Sequence, residues 1–397
     1  MDSRRNFIGK VASGIAAGSL LTAGDRVRVG IVGFGDRGAE LANHIRACGN
    51  AETAAVADIF TRQLEKARTV EPGAALYSDY RHLLEDPAVD AVAIATPPHL
   101  HAEQFCAALA AGKHVYQERA MAFTLEDAKA MRAAFQRSNR VVQIGHQACS
   151  SGQMSDARSF LADPRRMGRI TAIRMHNYRN TPAGKPHWSR AARLTAEVNP
   201  ENVNWRAFLG PAAAREFDAA RYINWRLFTD YSGGAVSENM SQQLCFWYKA
   251  LNLQIPRTAA MTGGVFLWKD GREVPDTMSV ALEQPEEILI HWSSSFGNNQ
   301  PGVAEDVLGD HGSISRSNQI RYVPQKINRP DGNEMAGRAT QAPHAHMANF
   351  FDSIRGLEKP NCPFELGFRV SIACRMALES YRLGRSVRWD AKKEEIV

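Results

Sequence analysis

From residue 26 onward, short continuous apolar runs alternate with stretches whose apolar residues recur every three or four positions. RVRVGIVG, AETAAVAD, DAVAIATPP, KHVYQE and VVQIGHQ have the short, two-sided apolar character of strands buried in a parallel sheet. AELANHIRACG, TRQLEKARTV, HAEQFCAALAAG and TLEDAKAMRAAFQRS lie between them and keep the helical period. Strand following helix in regular alternation predicts an α/β, doubly wound domain over residues 25–147. After residue 150 the texture changes. SDARSFLADPRRMG reads as helical and RITAIRMHNYRN as a strand, followed by a polar, proline-containing loop through PHWSRA. RTAAMTGGVFLW, TMSVALEQ and EEILIHWSSSF alternate apolar and polar residues at period two, as a half-exposed antiparallel sheet does. HMANFFDSIRG and LGFRVSIACRMALESYRLG close the chain as helices, so residues 148–397 read as an α+β second domain.

The remaining 24 residues belong to neither pattern. MDSRRNFIGK carries paired arginines, and the uncharged VASGIAAGSLLTAG follows it, too short for a comfortable membrane span and rich in small residues. SRRNFIGK resembles a twin-arginine signal, which implies export of the folded chain by the Tat translocase to the periplasm, with a membrane tether if the signal is retained. The chain of 397 residues has 44% hydrophobic and 23% charged residues, which excludes disordered and fibrous classes. The net charge of +6 suits an anionic cofactor or substrate, and no basic run with interleaved aromatics points to nucleic acid. Cys48, Cys106, Cys149, Cys245, Cys362 and Cys374 show no metal-site spacing, so buried free thiols and no metal are expected.

VGIVGFGDRGAEL places Gly33, Gly35 and Gly38 between the first strand and the first helix, with Phe34, Asp36 and Arg37 filling the turn. Gly33 permits the tight turn, Gly35 allows backbone to approach a pyrophosphate, and Gly38 lets helix pack on strand. Asp58 ends the second strand, where it can accept both ribose hydroxyls and would repel a 2′-phosphate, favouring NAD over NADP. Arg62, one turn further on, could soften that preference.

Beyond this site, ATPPHLHAE, GKHVYQERAMA, VVQIGHQ, NVNWRAFLGPA and RYINWRLFTDYSGGAVSE together resemble the Gfo/Idh/MocA family (glucose–fructose oxidoreductase, inositol dehydrogenase and MocA), from about residue 26 to the end. The resemblance implies a Rossmann domain followed by a large, open, mostly antiparallel sheet that serves as a homo-oligomer interface. It implies cofactor-side roles for Thr96, Pro97, His101, Glu118, Arg119 and Gln147, and hydride transfer between a nicotinamide and a carbohydrate, sugar acid or polyol. Export in the folded state would carry along a tightly held NAD.

Two positions depart from the family pattern. Arg119, followed by Ala120, replaces the lysine and proline of the E-K-P segment, and Gln242 falls where a histidine is usual. Arginine stays charged and can clamp an anion or stabilise an alkoxide, but it is no ordinary base. The proton relay must then use another residue. His187 in KPHWSRA is the leading candidate, with Tyr178, His176, Asp230 and Tyr231 nearby in the expected cleft. Lys185, Arg226 and Arg119 are expected to hold an acidic substrate, and Trp225 to face a sugar ring. Two alternatives stay open: a glycosidase or lyase in which cofactor oxidation and re-reduction cancel, and a non-catalytic NAD-binding protein.

Overall fold

In the computed structural model, which describes residues 25–181, 185–190, 196–337 and 342–397, two sheets organise the chain. The expected export signal lies outside the described residues. The first sheet holds β1 (Val27–Val32), β2 (Ala51–Ala57), β3 (Ala75–Tyr77), β4 (Ala91–Ile94), β5 (His114–Gln117) and β6 (Val142–Ile144). Its order is β3-β2-β1-β4-β5-β6, parallel throughout, so the strand order reverses between β1 and β4. That reversal opens a crevice at the carboxyl ends of the strands, where dinucleotides bind in such sheets. β3 lacks a clear apolar run in the sequence, because this three-residue edge strand has no fully buried position. The crossover helices carry local stop and start signals. Thr124 and Asp127 close a reciprocal capping box on the helix Leu125–Gln136, with both hydrogen bonds at 3.0 Å.

The second sheet has ten strands: β7 (Ile170–Tyr178), β8 (Thr258–Gly264), β9 (Thr277–Glu283), β10 (Leu289–Ser295), β11 (Val303–Gly309), β12 (Gly312–Arg316), β13 (Ile320–Pro324), β14 (Met335–Ala336), β15 (Val387–Asp390) and β16 (Glu395–Ile396). All neighbouring pairs are antiparallel except β7 with β10. The period-two pattern does what the alternation predicts. Met278, Val280 and Leu282 of β9 and Ile290 and Trp292 of β10 face inward, while Leu289 and His291 face out. The inner face packs on the long helix Phe364–Leu383.

One packing arrangement departs from chain order. Met347, Phe350, Phe351 and Ile354 of the helix Ala345–Ile354 join the same apolar core as Val27, Val29 and Ile31. The chain therefore returns from the second domain to cover one face of the first sheet. His346, at the start of that helix, is spent on structure: its Nε2 lies 2.9 Å from the Ile144 carbonyl and its Nδ1 2.6 Å from Ser150 Oγ.

Candidate functional site

The glycine-rich turn after β1 has the geometry its sequence predicts. Gly33 sits at φ +89°, in the left-handed region that side chains avoid, and a Cβ on Gly38 would stand 2.0 Å from the Gly33 carbonyl oxygen. A Cβ on Gly35 would meet nothing within 4 Å, so the backbone there faces open space suited to a pyrophosphate. Asp58 accepts the Phe34 N–H at 2.6 Å and the Phe60 N–H at 2.9 Å, which fixes the carboxylate at the end of β2. Burial pushes its carboxyl up to about 6, against the pull of those two N–H groups. The phenyl ring of Phe34 is fully buried in the core, so the sequence expectation of a cofactor contact reduces there to the backbone.

These groups line a cleft of about 1100 Å³ that runs from Asp58 to Arg119 and is walled on its far side by the second domain. The segment 196–225 closes the wall around Asp58. Thr61 N–H donates to the Asn202 carbonyl at 3.0 Å, Asn204 N–H to the Ile59 carbonyl at 3.0 Å, and the Tyr222 ring meets Phe60 edge-on at 5.8 Å. Arg62 pairs with Glu197, and Asp36 with Arg190, so both predicted cofactor-side residues also tie the two walls together.

At the other end the strand β5 delivers Glu118 into a buried, fully engaged setting. Arg37 reaches it from the first helix with Nε at 2.8 Å and Nη2 at 2.6 Å, and Gln147 Nε2 donates at 3.2 Å. Burial alone would raise the Glu118 carboxyl; the Arg37 and Arg119 guanidinium groups overcome it and hold the carboxyl below its ordinary range. Glu118 thus acts as an anchor rather than a proton carrier. Thr96 Oγ1 donates to Gln104 at 2.6 Å, and Pro97 lines the cleft. His101 is buried, with its two ring nitrogens 2.7 Å and 2.8 Å from the Ala120 and Thr96 carbonyls, so it pins the segment after Arg119 to the end of β4. Arg119 itself lines the cleft and donates from Nε to the Glu238 carbonyl at 3.2 Å; the peptide bond to Ala120 is cis.

The second domain contributes a different set from the one its sequence suggested. His187, Trp225 and Arg226 line the cleft as expected, and Trp225 carries the Arg226 guanidinium 4.2 Å above its ring. His187 stacks on Phe296 at 4.2 Å. Burial, reinforced by Arg179, Arg272 and Arg226, pushes its ring down to about 4, so it stands neutral at physiological pH. Lys185 is exposed and is not part of the cleft wall, and Asp230 is bound to Arg215 and Arg221 away from it. Tyr178 is half-buried and also outside the wall. Gln242 stands behind the cleft, its Oε1 buried without a hydrogen-bond partner among the described residues.

The reason lies in the turn Val236–Met240, which is π-helical and presents Glu238 and Asn239 to the cleft instead. Glu238 lies 3.6 Å from Arg226. Sequence reasoning did not single out either residue. A carboxylate four positions before Gln242, in a segment already expected to border the site, was the available signal.

Residues 27–146 match the family model described as an oxidoreductase family with an NAD-binding Rossmann fold, Gfo/Idh/MocA. Over 152 residues the chain is 34% identical to the 1-carboxy-3-chloro-3,4-dihydroxycyclohexa-1,5-diene dehydrogenase of Comamonas testosteroni, covering 38% of each protein. Over 146 residues it is 32% identical to the levoglucosan dehydrogenase of Pseudarthrobacter phenanthrenivorans, covering 37% of this chain and 36% of that one. The matched segments thus span little more than a third of these relatives. Among solved structures, the WlbA dehydrogenase from Bordetella pertussis in complex with NADH and UDP-GlcNAcA superposes with a TM-score of 0.70 at 19% identity, covering 92% of this chain and 99% of that one. The two-domain fold is therefore shared along almost the whole length, and residues 27–146 are similar to the NAD-binding Rossmann domains of the Gfo/Idh/MocA oxidoreductase family.

Proposed function

We propose that the protein is an NAD-dependent oxidoreductase acting on a carbohydrate that carries an acidic group, a sugar acid in the simplest case. The observation that carries this reading is the cluster of Arg119, Arg179 and Arg226 on the cleft wall beside His187, with Glu238 as the nearby carboxylate. Bound NAD would supply the hydride acceptor. Gly33, Gly35 and Gly38 would cradle its pyrophosphate, and Asp58 would take the ribose hydroxyls and disfavour a 2′-phosphate.

The chain's own residues handle the rest. Arg119 and Arg226 hold the substrate anion and stabilise the oxygen as its proton leaves. His187 is the proton acceptor. Its ring is kept neutral partly by surrounding guanidinium groups, so a bound anion that offsets their charge makes the ring a stronger base when substrate is present. Glu238 orients Arg226 and accepts a second substrate hydroxyl. Export of the folded chain with NAD enclosed, to a periplasmic location, and homo-oligomerisation through the outer face of the ten-stranded sheet complete the proposal. They are supported by the twin-arginine segment and by the alternation that leaves Leu289 and His291 exposed.

The test is to purify the protein, identify any retained dinucleotide, and screen neutral sugars, sugar acids and aryl glycosides for cofactor reduction and for glycoside release. Reduction with sugar acids, lost on His187→Ala, supports the proposal. Glycoside release without net reduction, or NAD binding with no turnover at all, overturns it in favour of a transient-oxidation or a non-catalytic role.

A further inference from the structure

Behind the cleft, three thiols that are far apart in sequence converge. Cys245 Sγ lies 3.5 Å from Cys149 Sγ and 3.5 Å from Cys362 Sγ. All three sulfur atoms fall within 4.8 Å of one another, and none of the three residues is more than 1% exposed. Each comes from a different part of the fold. Cys149 belongs to the turn Gln147–Ser150 that leaves the first domain, Cys245 to the helix Ser241–Leu251, and Cys362 to the loop that opens the helix Phe364–Leu383. Lys249 places its ammonium 2.7 Å from the Cys149 carbonyl and 2.9 Å from Asn361 Oδ1, a half-buried positive charge beside the cluster.

From this convergence we infer a trithiolate metal site at Cys149, Cys245 and Cys362 for a soft, thiophilic closed-shell cation, copper(I) or zinc(II). Metal–sulfur bonds of about 2.3 Å place neighbouring thiolates roughly 3.8–4.0 Å apart in tetrahedral or trigonal geometry, so the two separations that involve Cys245 need only a few tenths of an ångström of adjustment. Three sulfur donors with no oxygen ligand select soft cations over magnesium or calcium. No further Cys, His, Asp or Glu joins the group among the described residues, which favours the three-coordinate copper(I) arm over zinc. Zinc(II) with Lys249 would balance the three thiolates and copper(I) with Lys249 all but one of their charges, which in a dry interior would otherwise be costly. Because the sulfur atoms are closed off from solvent, loading accompanies folding. The site joins the end of the first domain to one helix of the second and to the loop before another, so its role is to tie these three segments together behind the cleft.

The test uses the full chain expressed in media supplemented with copper or with zinc, and in parallel refolded anaerobically with copper(I) or zinc(II). After gel filtration, elemental analysis should give about one equivalent of one of these metals, and X-ray absorption should show sulfur-only coordination. Cys245→Ser and Cys149→Ser should each lower retention to below about one-tenth of an equivalent, while Cys106→Ser leaves it intact. NAD binding by the variants reports that they have folded. Copper alone, or zinc alone, identifies which cation the site holds. The proposal is overturned if the wild-type protein holds neither metal and all six thiols react in denaturant, if a disulfide links any two of the three cysteines, or if the serine variants retain as much metal as the wild type.

Discussion

The link between Arg37 and Glu118 offers the sharpest check on the architecture of the cleft, because it joins the glycine-rich turn to the end of β5 through a buried charge. Glu118 is 5% exposed, and Arg37 holds one of its oxygens from two nitrogens, at 2.8 Å and 2.6 Å. Arg37→Met removes the main countercharge, leaving Gln147 at 3.2 Å, the Arg119 N–H at 3.3 Å and the Arg119 guanidinium, whose Nη1 is 3.7 Å away. Breaking a buried pair by deleting one partner costs about 3–5 kcal/mol, and the surviving contacts put the expected loss near the lower end, about 3 kcal/mol. Glu118→Gln in the same chain removes the stranded charge and should recover much of that loss, giving a coupling above about 1 kcal/mol in a double-mutant cycle.

The pH dependence has a definite sign. In the wild type the Glu118 carboxyl is held below its ordinary value of 4.5, so its contribution is fully present above that value and is lost as pH falls through the folded one. Without Arg37, burial prevails and raises the carboxyl, so stability falls as pH climbs past the ordinary value. The gap between wild type and Arg37→Met, read from urea unfolding at roughly pH 4 and pH 7, should therefore widen toward neutrality. An equal penalty at both, or one below about 1 kcal/mol, would refute the idea that Arg37 keeps Glu118 charged.

Other predictions address the cofactor and the proposed base. Asp58→Ala should weaken NAD binding by roughly 10- to 100-fold, the equivalent of losing charge-assisted hydrogen bonds worth about 1.5–3 kcal/mol, and calorimetric titration with NAD checks this. Gly38→Ala should destabilise the fold by about 1–3 kcal/mol or more, because its methyl group would stand 2.0 Å from a fixed carbonyl oxygen; thermal unfolding with and without NAD is the measurement. The His187 ring should titrate near 4 by NMR in the free protein and move upward when a sugar acid binds, whereas an unchanged titration would remove the case for substrate-tuned basicity. Since the unfolded chain protonates this ring near 6.5, its contribution to stability should be complete above that pH and fade as pH falls toward 4, a trend absent in His187→Gln.

Much of this protein was determined by local pattern. Alternating apolar runs and helical periods specify the parallel sheet, because a strand buried on both faces and a helix buried on one leave different periodicities. The glycine spacing specifies the turn after β1, since only backbone without Cβ fits at Gly33 and Gly38. The acidic end of β2 follows from the same unit. Tertiary structure decided which side chains share the cleft. Gln242 and Glu238 are four residues apart, and the π-helical turn Val236–Met240, a feature without a composition signal, brings Glu238 and not Gln242 to the wall. Lys185 and His187 lie on one short loop, yet only the histidine packs inward, because Phe296 from the far end of β10 offers it a stacking partner. The helix Ala345–Ile354 covers a sheet built some two to three hundred residues earlier, and three cysteines with no common spacing meet at one point. Periodicity records how each segment divides its own faces between core and solvent; it does not record which distant segment supplies the core, and that choice assembled this cleft.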